Sequence, residues 1–395
     1  MATPYGSGDL FQLFRDFLPH TRAELSAVTG LARSTVGMRL DPLIDRGLIV
    51  PTRAAQSTGG RPSAQLVLNP SARLVAGVDF GATHGTVGIS DLAANVQVSQ
   101  EEQIPIAEGP EACLHWAIEL IVSLLKELDA PTSSLAAVGI GLPGPVEHLT
   151  GRPSKPPIMP GWDNFDVPSR VREELPDVAV LVDNDVNIMA LGERKLNFEG
   201  VEHMIFLKAA TGIGSGIISN GELVRGAQGT AGDIGHVRLA RDLQTPCRCG
   251  NYGCLEAVAG VPAVLSATCK QGLELAGVHE LIEAVQAGRV EAVQAVRDAG
   301  RDIGDVLATC VSLINPSVIV IGGSLSRAGE HLLAGVREVV YGRSTPLATE
   351  NLQIVQSTAG RQAGIIGASV LAIDYLMAPE NVDAWVGEIS SPIAG

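Results

Sequence analysis

Over the first fifty positions apolar residues recur at helical spacing, and the pattern breaks at residues suited to turns. Leu-Phe-Gln-Leu-Phe-Arg-Asp-Phe-Leu predicts a first amphipathic helix over residues 10–20. Thr21, with Glu24 three positions on, makes a capping box for a second helix over about 22–28, which ends at Gly30. Ser34-Thr35 opens a third helix running to about Arg46. Val36, Leu40, Leu43 and Ile44 form its apolar stripe, while Ser34, Met38 and Asp41 occupy the other side with Thr35 and Arg39 beside them. Pro42 should kink or shorten this helix. Strands at Gly47–Val50 and Ala64–Leu68 follow, joined by a polar loop containing Gly59-Gly60-Arg61-Pro62. Helix, tight turn, helix and hairpin together predict a winged helix-turn-helix over residues 1–72.

From residue 74 the period changes to that of strands. Leu74–Phe80, Thr86–Ser90 and Val96–Val98 are three consecutive strands, and the first ends in the turn Gly81-Ala82-Thr83. An amphipathic helix at 109–129, a strand at Ala136–Gly141, a strand at Val178–Val182 and a helix over about 186–196 come next. Strands resume at His203–Leu207 and Ile213–Ser219, joined through Thr211-Gly212-Ile213-Gly214-Ser215-Gly216. Such a turn exposes backbone N–H groups to phosphate, and a tight hairpin explains it equally well. The chain is then mainly helical to about 314. The strand Val318–Ile321 follows, ending at Gly322-Gly323, and a helix at about 363–377 should pack back on the first half. The tail from Ala378 carries no readable signal. Early strands without intervening helices exclude the Rossmann order.

At 395 residues, with 46% apolar and 18% charged residues, the chain is globular with two or three domains. The net charge of −15 opposes contact with a phosphate backbone until it is divided. Residues 1–75 carry eight arginines and five acidic residues, a net of +3, leaving −18 on the rest. The head can approach nucleic acid where the body would be repelled. Arg33, Ser34 and Thr35, with Met38 and Arg39, would reach base edges or phosphates, and Arg61 would enter a minor groove. The alternative for the head is a helical dimerisation or docking module. No apolar run is long enough to span a bilayer, and the N-terminus lacks the pattern of a signal peptide. A reducing cytoplasm is the expected location, with no membrane partner.

His236 precedes Cys247, Cys249 and Cys254, a Cys₃His set suited to tetrahedral Zn²⁺. Four protein ligands close the shell, so this metal would be structural. Gly250 and Gly253 let the loop fold tightly enough to aim three sulfurs at one ion. Asp233 and Glu256 flank the ligands and suggest that zinc stiffens a binding site. The other cysteines, Cys113, Cys269 and Cys310, read as small buried residues within helices. His84, His115, His148 and His203 read as surface or packing residues, and Trp162 as a residue of the core or of the cleft border.

Together these motifs resemble the ROK family (repressors, open reading frames and kinases), over nearly the whole chain. Cys-x-Cys-Gly-x-x-Gly-Cys-x-Glu is specific to that family, and the N-terminal winged helix resembles its xylose-repressor-like regulators. The resemblance implies a two-lobed ribonuclease-H-like, actin-like sugar kinase fold over residues 73–395. The small lobe would take about 73–185 plus the helix 363–377, and the large lobe about 186–362. Asp79, Gly81 and Thr83 match its first phosphate motif, Thr211, Gly212 and Gly214 its second, and Gly322-Gly323 its adenosine-side turn. Asp185 falls on its catalytic base, and Asn184, Asp185, Asp233, His236 and Glu256 on its sugar contacts. Three departures bear on catalysis: Asp233 replaces Glu, Ala82 and Ala210 replace glycines, and His84 stands where kinases often carry Lys or Arg. The expected function is therefore a sugar-responsive transcriptional regulator, a repressor acting on operator DNA as a homodimer or homotetramer. The alternative is an ATP-dependent sugar kinase, with or without DNA binding, which would use Mg-ATP. A regulator whose ligand is a partner protein is a third reading.

Overall fold

The first helix begins earlier and stops sooner than its apolar residues imply. In the computed structural model, which describes residues 6–52, 65–241 and 244–387, it spans Ser7–Gln12. The Asp9 carboxylate accepts from Gly6 N–H at 2.7 Å and fixes its start. Pro19 disfavours helical geometry at Leu18, and Phe17 already sits at φ +57°. Thr21 caps the second helix, Arg22–Thr29: Thr21 Oγ1 accepts from Glu24 N–H at 3.2 Å, and Thr21 N–H donates to Glu24 Oε2 at 2.7 Å. Gly30 closes it in the left-handed region.

The third helix, Arg33–Asp45, runs past Pro42 rather than stopping there. The carbonyl left without its intrahelical donor is that of Met38, whose residue is 67% exposed, so the break falls on the solvent face. Ile49–Pro51 and Gln65–Leu68 pair antiparallel, and a strand absent from the sequence reading, His20–Thr21, completes a three-stranded sheet. Arg61 and its loop lie outside the described residues.

The body contains two five-stranded sheets of identical connectivity. In the first, Leu74–Phe80 has antiparallel Gly85–Asp91 on one side, with Val96–Glu102 antiparallel to that strand at the edge, and parallel Leu135–Leu142 followed by parallel Ala179–Asn184 on the other. In the second, Met204–Ala209 takes that place. Ile213–Ser219 is its antiparallel neighbour, with Glu222–Leu223 antiparallel to that strand at the edge, and Val318–Gly322 is its parallel neighbour, with Gln353–Gln356 parallel beyond it. The repeat is one of topology, with no visible sequence counterpart. Gln362–Leu376 packs on the first sheet, Asp185–Asn197 packs on the second, and the two helices pack on each other. They approach closely at Gly192 and Gly367, where an added Cβ would overlap the carbonyls of Ala363 and Ile188.

The stretch after Ala378 is not featureless. Pro379–Gly387 is a helix that packs against Ser7–Gln12. Gly8 N–H donates to Asp383 Oδ1 at 2.8 Å, Gln12 Nε2 donates to the Met377 carbonyl at 2.6 Å, and Arg15 pairs with Asp374. Leu10, Phe11 and Phe14 share one apolar cluster with Ile365, Ile373, Leu376 and Val382. Head and body are thus joined through common core rather than by a linker alone. No single helix among the described residues is long and apolar enough to cross a membrane.

Candidate ligand cleft and metal centre

The cleft is built where parallel strands of both sheets end, the position at which open α/β sheets present ligand groups. Asn184 ends Ala179–Asn184 and caps the helix that follows. Its Oδ1 accepts from Val186 N–H at 2.9 Å, and its Nδ2 donates to the Gly144 carbonyl at 2.8 Å. Asp185 opens that helix, is 5% exposed, and accepts from Lys208 Nζ at 2.5 Å. Desolvation works against the Lys208 ammonium, but Asp185 and then Asp79 outweigh it and raise its pKa. Burial pushes the Asp79 carboxyl up to about 7; Lys208 pulls the other way, and Asp185 and Glu101 add repulsion. Behind them Asp183, 2% exposed, accepts from Arg225 Nε at 2.7 Å and Asn187 Nδ2 at 2.6 Å. The sequence reading missed Lys208 and Arg225. The available signal was a lysine inside the otherwise apolar strand Met204–Ala209.

Several of the phosphate-motif groups are occupied or crowded by the chain itself. Gly81 N–H donates to the His84 carbonyl at 2.8 Å, and a Cβ on Gly81 would lie 2.7 Å from the His84 ring. Thr83 is exposed, with its Oγ1 3.5 Å from His84 Nδ1. Ala210 N–H donates to the Gly212 carbonyl at 3.0 Å, so Thr211 and Gly212 form the tight turn of a hairpin. Glu256 Oε2 accepts from Ile213 N–H at 3.2 Å, and a Cβ on Gly212 would lie 2.8 Å from the same oxygen. Gly214 faces Val186, and a Cβ on Gly322 would lie 2.6 Å from the Phe206 ring. Gly323 takes φ +85°, where a side chain would meet the Ala209 backbone.

The metal set comes together. The ligand atoms of His236, Cys247, Cys249 and Cys254 all lie within 4.8 Å of one another. Cys249 and Cys254 sulfurs are 3.7 Å apart, and His236 Nδ1 is 3.6 Å from Cys247 Sγ. A tetrahedron with bonds of about 2.3 Å to sulfur and about 2.0 Å to nitrogen has edges of about 3.8 Å and about 3.5 Å. The residues therefore fit zinc. Gly250 and Gly253 both adopt positive φ within this loop. The other imidazole nitrogen, Nε2, is turned toward Asp233 Oδ1 at 4.0 Å. Asp233 and Glu256 thus sit at either end of the same stretch. Among the remaining cysteines Cys113 is buried and Cys310 half-buried, but Cys269 is exposed, at the last turn of Val261–Lys270. Trp162 belongs to the core: it is fully buried, and its Nε1 donates to the Ile106 carbonyl at 3.1 Å.

On the head, Arg33, Ser34, Met38 and Arg39 are exposed and Thr35 half-buried, while Val36, Leu40 and Leu43 face the core. Asp41 pairs with Arg22 at 3.1 Å.

Comparison with known proteins agrees with this architecture. The xylose repressor of Caldicellulosiruptor bescii is 31% identical over 375 residues, covering 91% of this chain and 93% of that one. A solved ROK family transcriptional regulator, a homologue of the E. coli MLC protein, superposes with a TM-score of 0.84 over 97% of this chain and 98% of its own. At 24% identity it speaks to the fold alone. The ROK hexokinase of Thermus thermophilus is 29% identical with a TM-score of 0.65, covering 78% of this chain and 99% of that one. The model of the ROK family matches residues 75–375, and the chain belongs to that family.

Proposed function

We propose that this chain is a sugar-responsive transcriptional repressor. One observation carries the reading: a relative named as a xylose repressor matches along 91% of the chain, polar helix head and kinase-like body alike. The exposed residues Arg33, Ser34, Met38 and Arg39, with Thr35, would contact operator DNA, with Arg61 on the wing. Asn184, Asp185, Asp233, His236 and Glu256 would hold sugar hydroxyls, since carboxylates and amides accept and donate at fixed geometry. His236, Cys247, Cys249 and Cys254 would hold a structural zinc that fixes the spacing of Asp233 and Glu256. Sugar binding would then favour one arrangement of the two lobes, and with it one arrangement of heads in a homodimer or homotetramer. The domain division placed at residue 72 and the cytoplasmic location belong to the same proposal.

The kinase reading is supported by the retained Asp185 and by the two turns that match phosphate motifs. The ion pair of Asp185 with Lys208 weighs against it, because the ammonium already occupies a carboxylate oxygen that would accept the sugar hydroxyl's proton. The test is a gel shift on operators selected from random DNA, with and without a panel of monosaccharides. A sugar should change the DNA affinity, and Arg33→Ala with Arg39→Ala should abolish binding while leaving sugar affinity intact. Unchanged DNA binding in that double variant would overturn the role given to the third helix.

A further inference from the structure

We propose that Lys208 is a tethered cation filling the place of a metal-bound phosphate, so that the cleft accepts an uncharged sugar and excludes nucleotide. The inference rests on the sugar-binding reading of the cleft and adds the ligand's charge class and the residue that sets it. Lys208 stands in the strand Met204–Ala209, between a parallel and an antiparallel neighbour, with Gly214 on one side and Gly322 on the other. Its ammonium reaches across the cleft to Asp185 at 2.5 Å and interacts with Asp79 as well. Those two carboxylates are the ones phosphoryl transfer would need, one to take the hydroxyl proton and one beside the metal. One ammonium is ion-paired with the first and lies in the field of the second.

The phosphate-facing backbone shows the same closure. Gly81 N–H is occupied by the His84 carbonyl, and Ile213 N–H by the Glu256 carboxylate. A phosphate approaching the second turn would meet that carboxylate at close range. The cleft cations Lys208 and Arg225 already face the buried carboxylates of Asp185 and Asp183. Asp233 and Glu256 remain as net negative charge beside the pocket, so a sugar acid or sugar phosphate would be opposed. A neutral sugar finds in the Lys208–Asp185 pair a donor and an acceptor for neighbouring hydroxyls.

Lys208→Met removes the charge at similar length, and Lys208→Gln serves where the first variant does not fold by circular dichroism. At pH 8 the wild-type protein should bind Mn²⁺ only weakly and Mg-ATP not at all in titrations. The variant should bind Mn²⁺ at least about tenfold more tightly, because two carboxylates are left without a cation. Adding Asp185→Asn should remove that gain. Mg-ATP binding by wild type, or Mn²⁺ affinity unchanged in the Lys208 variants, would overturn the proposal. So would a thermal shift of wild type with sugar acids or sugar phosphates and none with neutral monosaccharides. Failure of wild type to bind DNA would undo the repressor reading while leaving these titrations standing.

Discussion

Asp79→Asn should make the protein more stable at alkaline pH and leave it unchanged at acid pH. In the folded chain burial holds the Asp79 carboxyl near 7, against an ordinary value of 3.8. Below about pH 4 both folded and unfolded chains carry the proton, and the group contributes no pH dependence. Between about pH 4 and pH 7 the folded chain keeps a proton that the unfolded chain has released. Unfolding free energy then falls by about 1.4 kcal/mol per pH unit from this group alone. Across the window the loss reaches a ceiling of about 4 kcal/mol, reduced by whatever water reaches the half-buried carboxyl. Asparagine has no such proton to hold. Urea denaturation of both proteins at fixed pH values from 4 to 8 measures the difference, in which all other titrating groups cancel. The gap should open in the variant's favour through that window and stay flat beyond it. Parallel curves for the two proteins would refute the reasoning, because they would mean that Asp79 titrates alike folded and unfolded.

Four further perturbations have defined outcomes. Thr21→Ala removes the hydroxyl half of the capping box, the Thr21 backbone N–H still reaching Glu24, and should cost about 1 kcal/mol in urea denaturation, whereas Thr21→Ser should be nearly neutral. Arg225→Ala leaves the Asp183 carboxylate buried with only neutral donors. It should cost about 3–5 kcal/mol, largely recovered by adding Asp183→Asn. Gly37 lies inside the third helix with nothing within 4 Å of an added Cβ, so Gly37→Ala should stabilise the head by about 0.5–1 kcal/mol in a thermal melt. With zinc held by the Cys₃His set as proposed, chelation should lower the melting temperature and the sugar affinity together, and Cys254→Ser should reproduce both effects without chelator. A chelated protein with unchanged sugar affinity would separate the metal from the cleft.

What could be read from the chain depended on how far apart the interacting residues lie. The metal set occupies one short stretch, from His236 to Cys254, and its geometry follows from local spacing. Capping boxes and alternating strands are equally local, and Ile213–Ser219 was predicted with the bounds it has. The Lys208–Asp185 and Arg225–Asp183 pairs join residues 23 and 42 positions apart, a strand to a helix start and a loop to a strand. Nothing in either neighbourhood announces its partner. The first helix misled for a related reason. Leu10, Phe11 and Phe14 are all buried, but Phe14 reaches the core from a turn. Its spacing reflects packing against the C-terminal helices and not a helical face of its own. That far helix was itself obscured by Pro379, Asn381 and Asp383, polar or turn-prone residues whose purpose emerges only beside residues 7–12. At Cys269, helical periodicity placed the thiol correctly in an element but on the wrong side of it.

The helix Gln362–Leu376 has Gly364 against the Asp79 carboxylate near one end, while at the other the Met377 carbonyl accepts the Gln12 amide. Fifteen residues span about 22 Å, so one rigid rod touches both the cleft and the reading head. Heads of this kind are therefore not interchangeable cassettes. Grafting residues 6–72 onto another body would leave Gly8, Gln12 and Arg15 without Asp383, Met377 and Asp374, and a working chimera would have to carry residues 362–387 along with them. The same holds for a chain emerging from a ribosome: its head has no seat until the residues 359 to 375 positions downstream have been made.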